Sequence, residues 1–178
     1  HAAPWHYPFV MTAVTTPALV LILFFVGLFK IVEKPDRTGA LLLINALLPL
    51  VIVALPGVPK YDGVRLFLPA FPFICLIAGI GIHRLLSAFA SMKVRRSLLV
   101  LCFVLLAVTA YKAIIRIHPY QSSYYNAFAE GTGGATVTGF EADYWGHPLL
   151  YALPWLNEHS DKRFWLYMAE LEPKIMWG

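Results

Sequence analysis

The chain has 178 residues, 59% hydrophobic and 13% charged, with a mean hydropathy of +0.67 and a formal net charge of +4. An ordinary globular domain carries roughly 25% charged residues, so this balance excludes a soluble domain of average make-up and places the chain in the membrane class. The net positive charge comes largely from Lys and Arg that flank apolar runs, which points to lipid headgroups and away from nucleic acid.

Residues 7–29, 38–59, 66–83 and 97–111 contain no Asp, Glu, Lys or Arg. A spanning helix needs about 20 mostly apolar residues. The first two runs clear that length and the third sits near it. The fourth reaches it once Lys112 snorkels and residues 113–115 are included. The expectation is an α-helical integral membrane protein with four transmembrane helices, at about 9–29, 39–58, 66–86 and 97–115. The chain starts on His and enters an apolar segment with no signal-peptide layout before it, so a piece of a longer polytopic protein is expected. Cys75 and Cys102 fall inside spans and read as small apolar packing residues.

The connections set an orientation. The first holds Lys30, Lys34 and Arg37, and the third holds Arg84, Lys93, Arg95 and Arg96, whereas the middle one holds only Lys60 and Arg65. The positive-inside rule makes the first and third cytoplasmic. The N-terminal edge, the 60–65 loop and everything after the fourth helix are then extracytoplasmic, in a cell (inner) membrane. Trp5, Tyr7 and Tyr61 sit at that outer interface, where amphipathic rings are favoured.

The chain changes character after the transmembrane region of residues 1–116. Residues 117–178 are rich in Gly, Ser, Thr and Tyr and lack a long apolar run. "PLLYALPWLNEHS" has helical spacing at Leu149, Leu150, Leu153 and Leu156. Strands near "ATVTGF" and at "RFWLYMAE" would complete a small extracytoplasmic α/β segment.

Three groups of residues are candidates for chemistry. Arg65 stands at the mouth of an apolar helix whose first turns carry Pro69 and Pro72. An interfacial arginine that only sets topology is the plain reading. The sharper one is a guanidinium gripping a phosphate in a fork that lysine does not offer, with Lys60 and Tyr61 adding a charge and a hydroxyl. The second group is "PWHYPF", in which Trp5, His6 and Tyr7 suit an interface and can also meet a polar ligand. The third is "HPYQSSYYN" with "FEADYWGHP", which contributes His118, Tyr124, Tyr125, Glu141, Tyr144 and Trp145 as a sugar-stacking or membrane-seating surface. The nearby Asp143 and His147 belong to the same stretch. The motifs imply no cofactor: HExxH metal spacing, a P-loop, a GxSxG elbow and a dinucleotide fingerprint are all absent, and "GTGGATVTG" is weak as a phosphate loop. A divalent metal requirement is left open.

Together, "PWHYPFVMTAVTTP", "YDGVRLFLPAFPF", "HPYQSSYYN" and "EADYWGHPLLYALPWLN" resemble the C-terminal half of a polytopic C-type glycosyltransferase, similar to bacterial relatives of protein O-mannosyltransferases and lipid A aminoarabinose transferases. The resemblance implies transfer of a sugar from a polyprenyl-phosphate donor to a hydroxyl acceptor (protein, lipid or glycan) at the extracytoplasmic face. It also implies that Arg65 contacts the donor phosphate. The family's catalytic carboxylate lies in a first outer loop that matches nothing here, so no catalytic residue is assigned and the fragment alone is expected to be inactive. A lipid-phosphate-binding transporter or flippase fragment, or a non-catalytic membrane subunit, is the alternative.

Overall fold

The computed structural model describes residues 3–60, 62–141 and 147–159. Tyr61, Asp143, Tyr144, Trp145 and the "RFWLYMAE" segment therefore lie outside the described residues. Every regular element among those described is helical.

Helix α1 (Tyr7–Thr15) and helix α2 (Ala18–Glu33) occupy the first expected span, but they do not form one rod. Their axes bend by 117° across the break at Thr16 and Pro17. Pro17 lacks the N–H that would continue the helix, and its ring drives the preceding residue out of helical geometry. Thr16 accordingly takes φ −80°, ψ 134°, and Pro17 follows at φ −52°, ψ 133°. The helix expected at about 9–29 is thus two helices that meet at a sharp bend.

The second and third apolar runs are helical. Helix α3 (Arg37–Ala54) opens on Asp36, whose side chain accepts from the Gly39 N–H at 2.7 Å, an N-cap that satisfies one of the first-turn donors. A 3₁₀ segment, Arg65–Ala70, leads into helix α4 (Phe71–Ser87). Helix α5 (Met92–Ile117) runs for 26 residues. Among the described residues, three helical stretches are thus long and apolar enough to cross a membrane, or four if the bent α1–α2 pair counts as one.

The most extensive contact is between α2 and α4. It depends on two glycines. A Cβ at Gly27 would overlap the Ile77 carbonyl oxygen, and one at Gly81 would overlap the Leu23 carbonyl oxygen. Without side chains there, the two backbones touch, which is how helices gain packing in a lipid environment that offers no hydrophobic drive. Glu33 links the same two helices at one end, 3.5 Å from Arg84 Nη2 and 3.7 Å from Lys30 Nζ. Helix α3 packs on α4 and on the 3₁₀ segment, and α1 lies across α3. The core runs through Met11, Ala46, Leu50, Val53, Phe67, Ile74 and Ile77. Helix α5 meets α4 only slightly and buries none of its residues.

After α5 come two short 3₁₀ turns (Gln121–Ser123 and Ala127–Ala129), helix α6 (Gly131–Val137) and helix α7 (His147–His159). The expected helix at "PLLYALPWLNEHS" is α7. The expected strand at "ATVTGF" is not found: its first half belongs to α6. A lone strand would leave its N–H and C=O groups unpaired, and no second strand lies among the described residues to take them. Glycine decides the local form instead. Gly134 sits where a Cβ would press on the Ala129 carbonyl, so the chain coils tightly back on the preceding turn.

Candidate functional site

The site is built at the end of the bundle opposite the Glu33–Arg84 pair. There the α1–α2 break, the 55–65 loop and the segment after α5 converge.

Asn126, of the "YYN" triplet, joins the first of these to the last. It is 2% exposed. Its Nδ2 donates to the Ala13 and Thr16 carbonyls, both at 2.6 Å, and its backbone N–H donates to the Val14 carbonyl at 2.8 Å. Those carbonyls are among the acceptors that the break in α1 leaves without helical donors. One side chain therefore satisfies a broken helix end that water does not reach. Its Oδ1 also accepts from the Phe128 N–H at 2.9 Å, which fixes the next turn.

The Arg65 turn is shaped by its neighbours. Asp62 (φ 58°) and Gly63 (φ 59°) are both left-handed, a conformation costly for most side chains and tolerated by Asp and Gly. This reversal brings Asp62 Oδ2 to 3.1 Å from Arg65 Nη1. Two residues on, Phe67 is fully buried and pins the turn to the core, while the Arg65 side chain stays 58% exposed. The result is a guanidinium held at the surface of the bundle by a carboxylate behind it.

Glu141 closes the group. Its carboxylate accepts from the Gly63 N–H and from the Tyr7 hydroxyl, the latter at 3.5 Å, and its backbone carbonyl accepts from the Tyr125 hydroxyl at 2.7 Å. Burial pushes its pKa above the ordinary carboxylate value; the Asp62 charge adds to this, and the two hydrogen bonds oppose it. Tyr7 and Tyr125 are themselves buried. Glu141 thus ties the Arg65 turn to α1 and to the segment after α5.

The other sequence-expected residues are distributed around this centre. Lys60 Nζ donates to the Leu55 and Val58 carbonyls, at 3.1 and 3.2 Å, and so caps the end of α3. His6 precedes α1, and its ring meets Trp5 edge-on at 5.6 Å, with Trp5 exposed to the surroundings. His118 and Tyr124 line a cavity of about 990 Å³ whose walls include Tyr125 but neither Arg65 nor Glu141. Burial raises the Tyr124 hydroxyl pKa.

Three residues of the site escaped sequence reasoning. Asp62 and Gly63 were legible only as an "DG" turn signal, and Asn126 only as the last letter of a triplet noted for its tyrosines. Their partners lie at sequence separations that no local pattern encodes. The chain matches no protein-family model, no curated protein and no solved structure.

Proposed function

We propose that this chain is the donor-binding part of a membrane glycosyltransferase that uses a polyprenyl-phosphate sugar at the extracytoplasmic face. The observation that carries the reading is the placement of Arg65. It heads an apolar segment long enough to span a membrane, and it stands in a turn braced by Asp62 and Glu141 with Tyr7 behind. A donor of this class needs its phosphate at the membrane edge and its tail in lipid, and an arginine at the mouth of an apolar helix meets both conditions.

In the transfer, the acceptor hydroxyl attacks the anomeric carbon, the bond from that carbon to the phosphate oxygen breaks, and polyprenyl phosphate leaves with the negative charge. Arg65 stabilises that departing charge, a contribution largest when the cation is already in place. Asp62 supplies this preorganisation, and the side chain remains 58% exposed. The acceptor's proton goes to a base outside the residues assigned here.

The test is equilibrium binding of a short polyprenyl-phosphate sugar to the chain in phosphatidylcholine nanodiscs. Arg65→Ala is expected to weaken binding at least about tenfold, as loss of a charge-assisted pair does. Arg65→Lys should fall between, because an ammonium does not reproduce the fork. Undiminished binding by Arg65→Ala overturns the reading.

A further inference from the structure

The Arg65 turn carries more negative charge than positive. Asp62 Oδ2 lies 3.1 Å from Arg65 Nη1. Glu141 reaches the same turn from the segment after α5, where its carboxylate accepts from the Gly63 N–H and feels the Asp62 charge. Lys60, the next cation along the chain, has its Nζ on the Leu55 and Val58 carbonyls at the end of α3. Arg65, Asp62 and Glu141 thus put one cation between two carboxylates, with one net negative charge when all three are ionised.

Both carboxylates are held in place. The Asp62 side chain is only 24% exposed, against 58% for Arg65. Glu141 is partly buried, with the Tyr7 hydroxyl on its carboxylate and the Tyr125 hydroxyl on its carbonyl. The guanidinium is therefore the outward member of the three, and a ligand phosphate meets it first. Its hydrogen bonds go to phosphate oxygens, which every phosphate ester presents. The pull and push of the three charges act at longer range and grow in proportion to the ligand's own charge. A first negative charge is repaid by the contact. A second one meets carboxylates that offset the cation.

The transfer reaction changes the ligand in this respect. Its donor is a phosphodiester with a single negative charge. Its spent carrier is a phosphomonoester, which gives up a second proton at about pH 6. A guanidinium alone holds the dianion more tightly than the monoanion, so the spent carrier would block the site.

We infer that Asp62 and Glu141 make the Arg65 turn selective for a singly charged phosphodiester over a doubly charged phosphomonoester, so that it takes the donor and releases the spent carrier. The inference rests on the donor reading and adds to it two specificity-determining residues. Arg65 shares the charge as it departs, and the carboxylates behind it keep the finished dianion from staying. The groups that meet Glu141 are Tyr7 of α1, Tyr125, the Gly63 N–H and Asp62. Burial raises the Glu141 pKa, so its charge appears, like the second charge of the monoester, as pH rises from the acid side.

Equilibrium binding to the chain in phosphatidylcholine nanodiscs tests this with farnesyl methyl phosphate, a diester, and farnesyl phosphate, the monoester. Arg65→Ala in the same nanodiscs gives the baseline for partition into lipid. At about pH 5 both probes carry one charge and should bind the wild type within about twofold of each other. At about pH 8 the diester should bind at least about threefold more tightly, the scale of a partly exposed charge pair. Glu141→Gln keeps the acceptor and should lose most of that preference, and Glu141→Gln/Asp62→Asn should favour the monoester. The inference is overturned if the wild type shows no preference at the higher pH, or if Glu141→Gln keeps the full preference. Equal binding of the two probes that Arg65→Ala abolishes overturns it and leaves the donor reading standing. Binding of the sugar-bearing donor that survives Arg65→Ala overturns both.

Discussion

The Arg65–Ser87 stretch that contains α4 and helix α5 are both long and apolar enough to cross a membrane, yet they sit in the molecule differently. About a third of the α4 span is buried within the chain and none of the α5 span is. Apolarity therefore sorts residues into the membrane but does not say which helix packs on which. In lipid, a leucine gains little by leaving tails for another leucine, so close packing requires backbones that can approach. Gly81 on α4 and Gly27 on α2 allow it. Helix α5 has no glycine at all and presents Phe103, Val104 and Leu105 outward.

The largest effect expected from this contrast is at the glycine contact. Gly27→Leu would drive a side chain into the Ile77 carbonyl, which belongs to a backbone and cannot swing aside. Overpacking of this kind costs about 3 kcal/mol, read as a fall in unfolding midpoint in detergent. Two companions make the comparison sharp. Gly79→Leu, on α4 where a Cβ meets nothing within 4 Å, and Phe103→Ala, on exposed α5, should each stay within about 1 kcal/mol of the wild type. A Phe103→Ala loss as large as that of Gly27→Leu would mean that α5 is packed after all.

A second prediction asks what holds the segment after α5. Although it is joined to α5 in sequence, Asn126 fastens it to α1. Asn126→Ala strands the Ala13 and Thr16 carbonyls in a buried place and should cost about 2 kcal/mol. Asn45→Ala removes only an exposed bond to the carbonyl four residues earlier in its own helix, and should cost no more than about 0.5 kcal/mol. Comparable effects for the two would show that α5, not α1, anchors the segment.

The same residues explain what the sequence made legible. Apolar runs bounded by Lys and Arg made the long apolar helices legible, because a stretch without charge is visible in one dimension. Asn126 and Glu141 join α1, the Gly63 turn and the segment after α5 at one end of the bundle. The break at Pro17 was not legible, since proline is equivocal: Pro49 sits inside α3 without ending it. At Pro17 the freed carbonyls are met by Asn126, 110 residues away from Thr16. The strand expected at "ATVTGF" failed for a related reason, because β-branched alternation describes a willingness to pair and not a partner. In the candidate site, Arg65 and Glu141 could be named from the sequence, but the Asp62–Gly63 turn that joins them could not.

The smallest effect concerns that turn and depends on pH. Burial holds the Glu141 pKa above its ordinary value of 4.5, so the folded state disfavours the ionised form relative to the unfolded chain. Below that value both states carry the proton and the fold bears no penalty. As pH rises through the ordinary value toward the raised one, the unfolded chain gives up its proton first, and stability falls until the folded state ionises too. Glu141→Gln keeps the shape and an acceptor for the Gly63 and Tyr7 donors but cannot ionise. Its unfolding midpoint should match the wild type in acid and exceed it near neutrality, the gap opening across the carboxylate range. The same titration with Asp62→Asn should show a narrower gap, because the Asp62 charge is part of what raises the Glu141 pKa. A wild type that instead gains on Glu141→Gln as pH rises would mean that attraction to the Arg65 cation outweighs burial, and that Glu141 and Arg65 act as one charged unit.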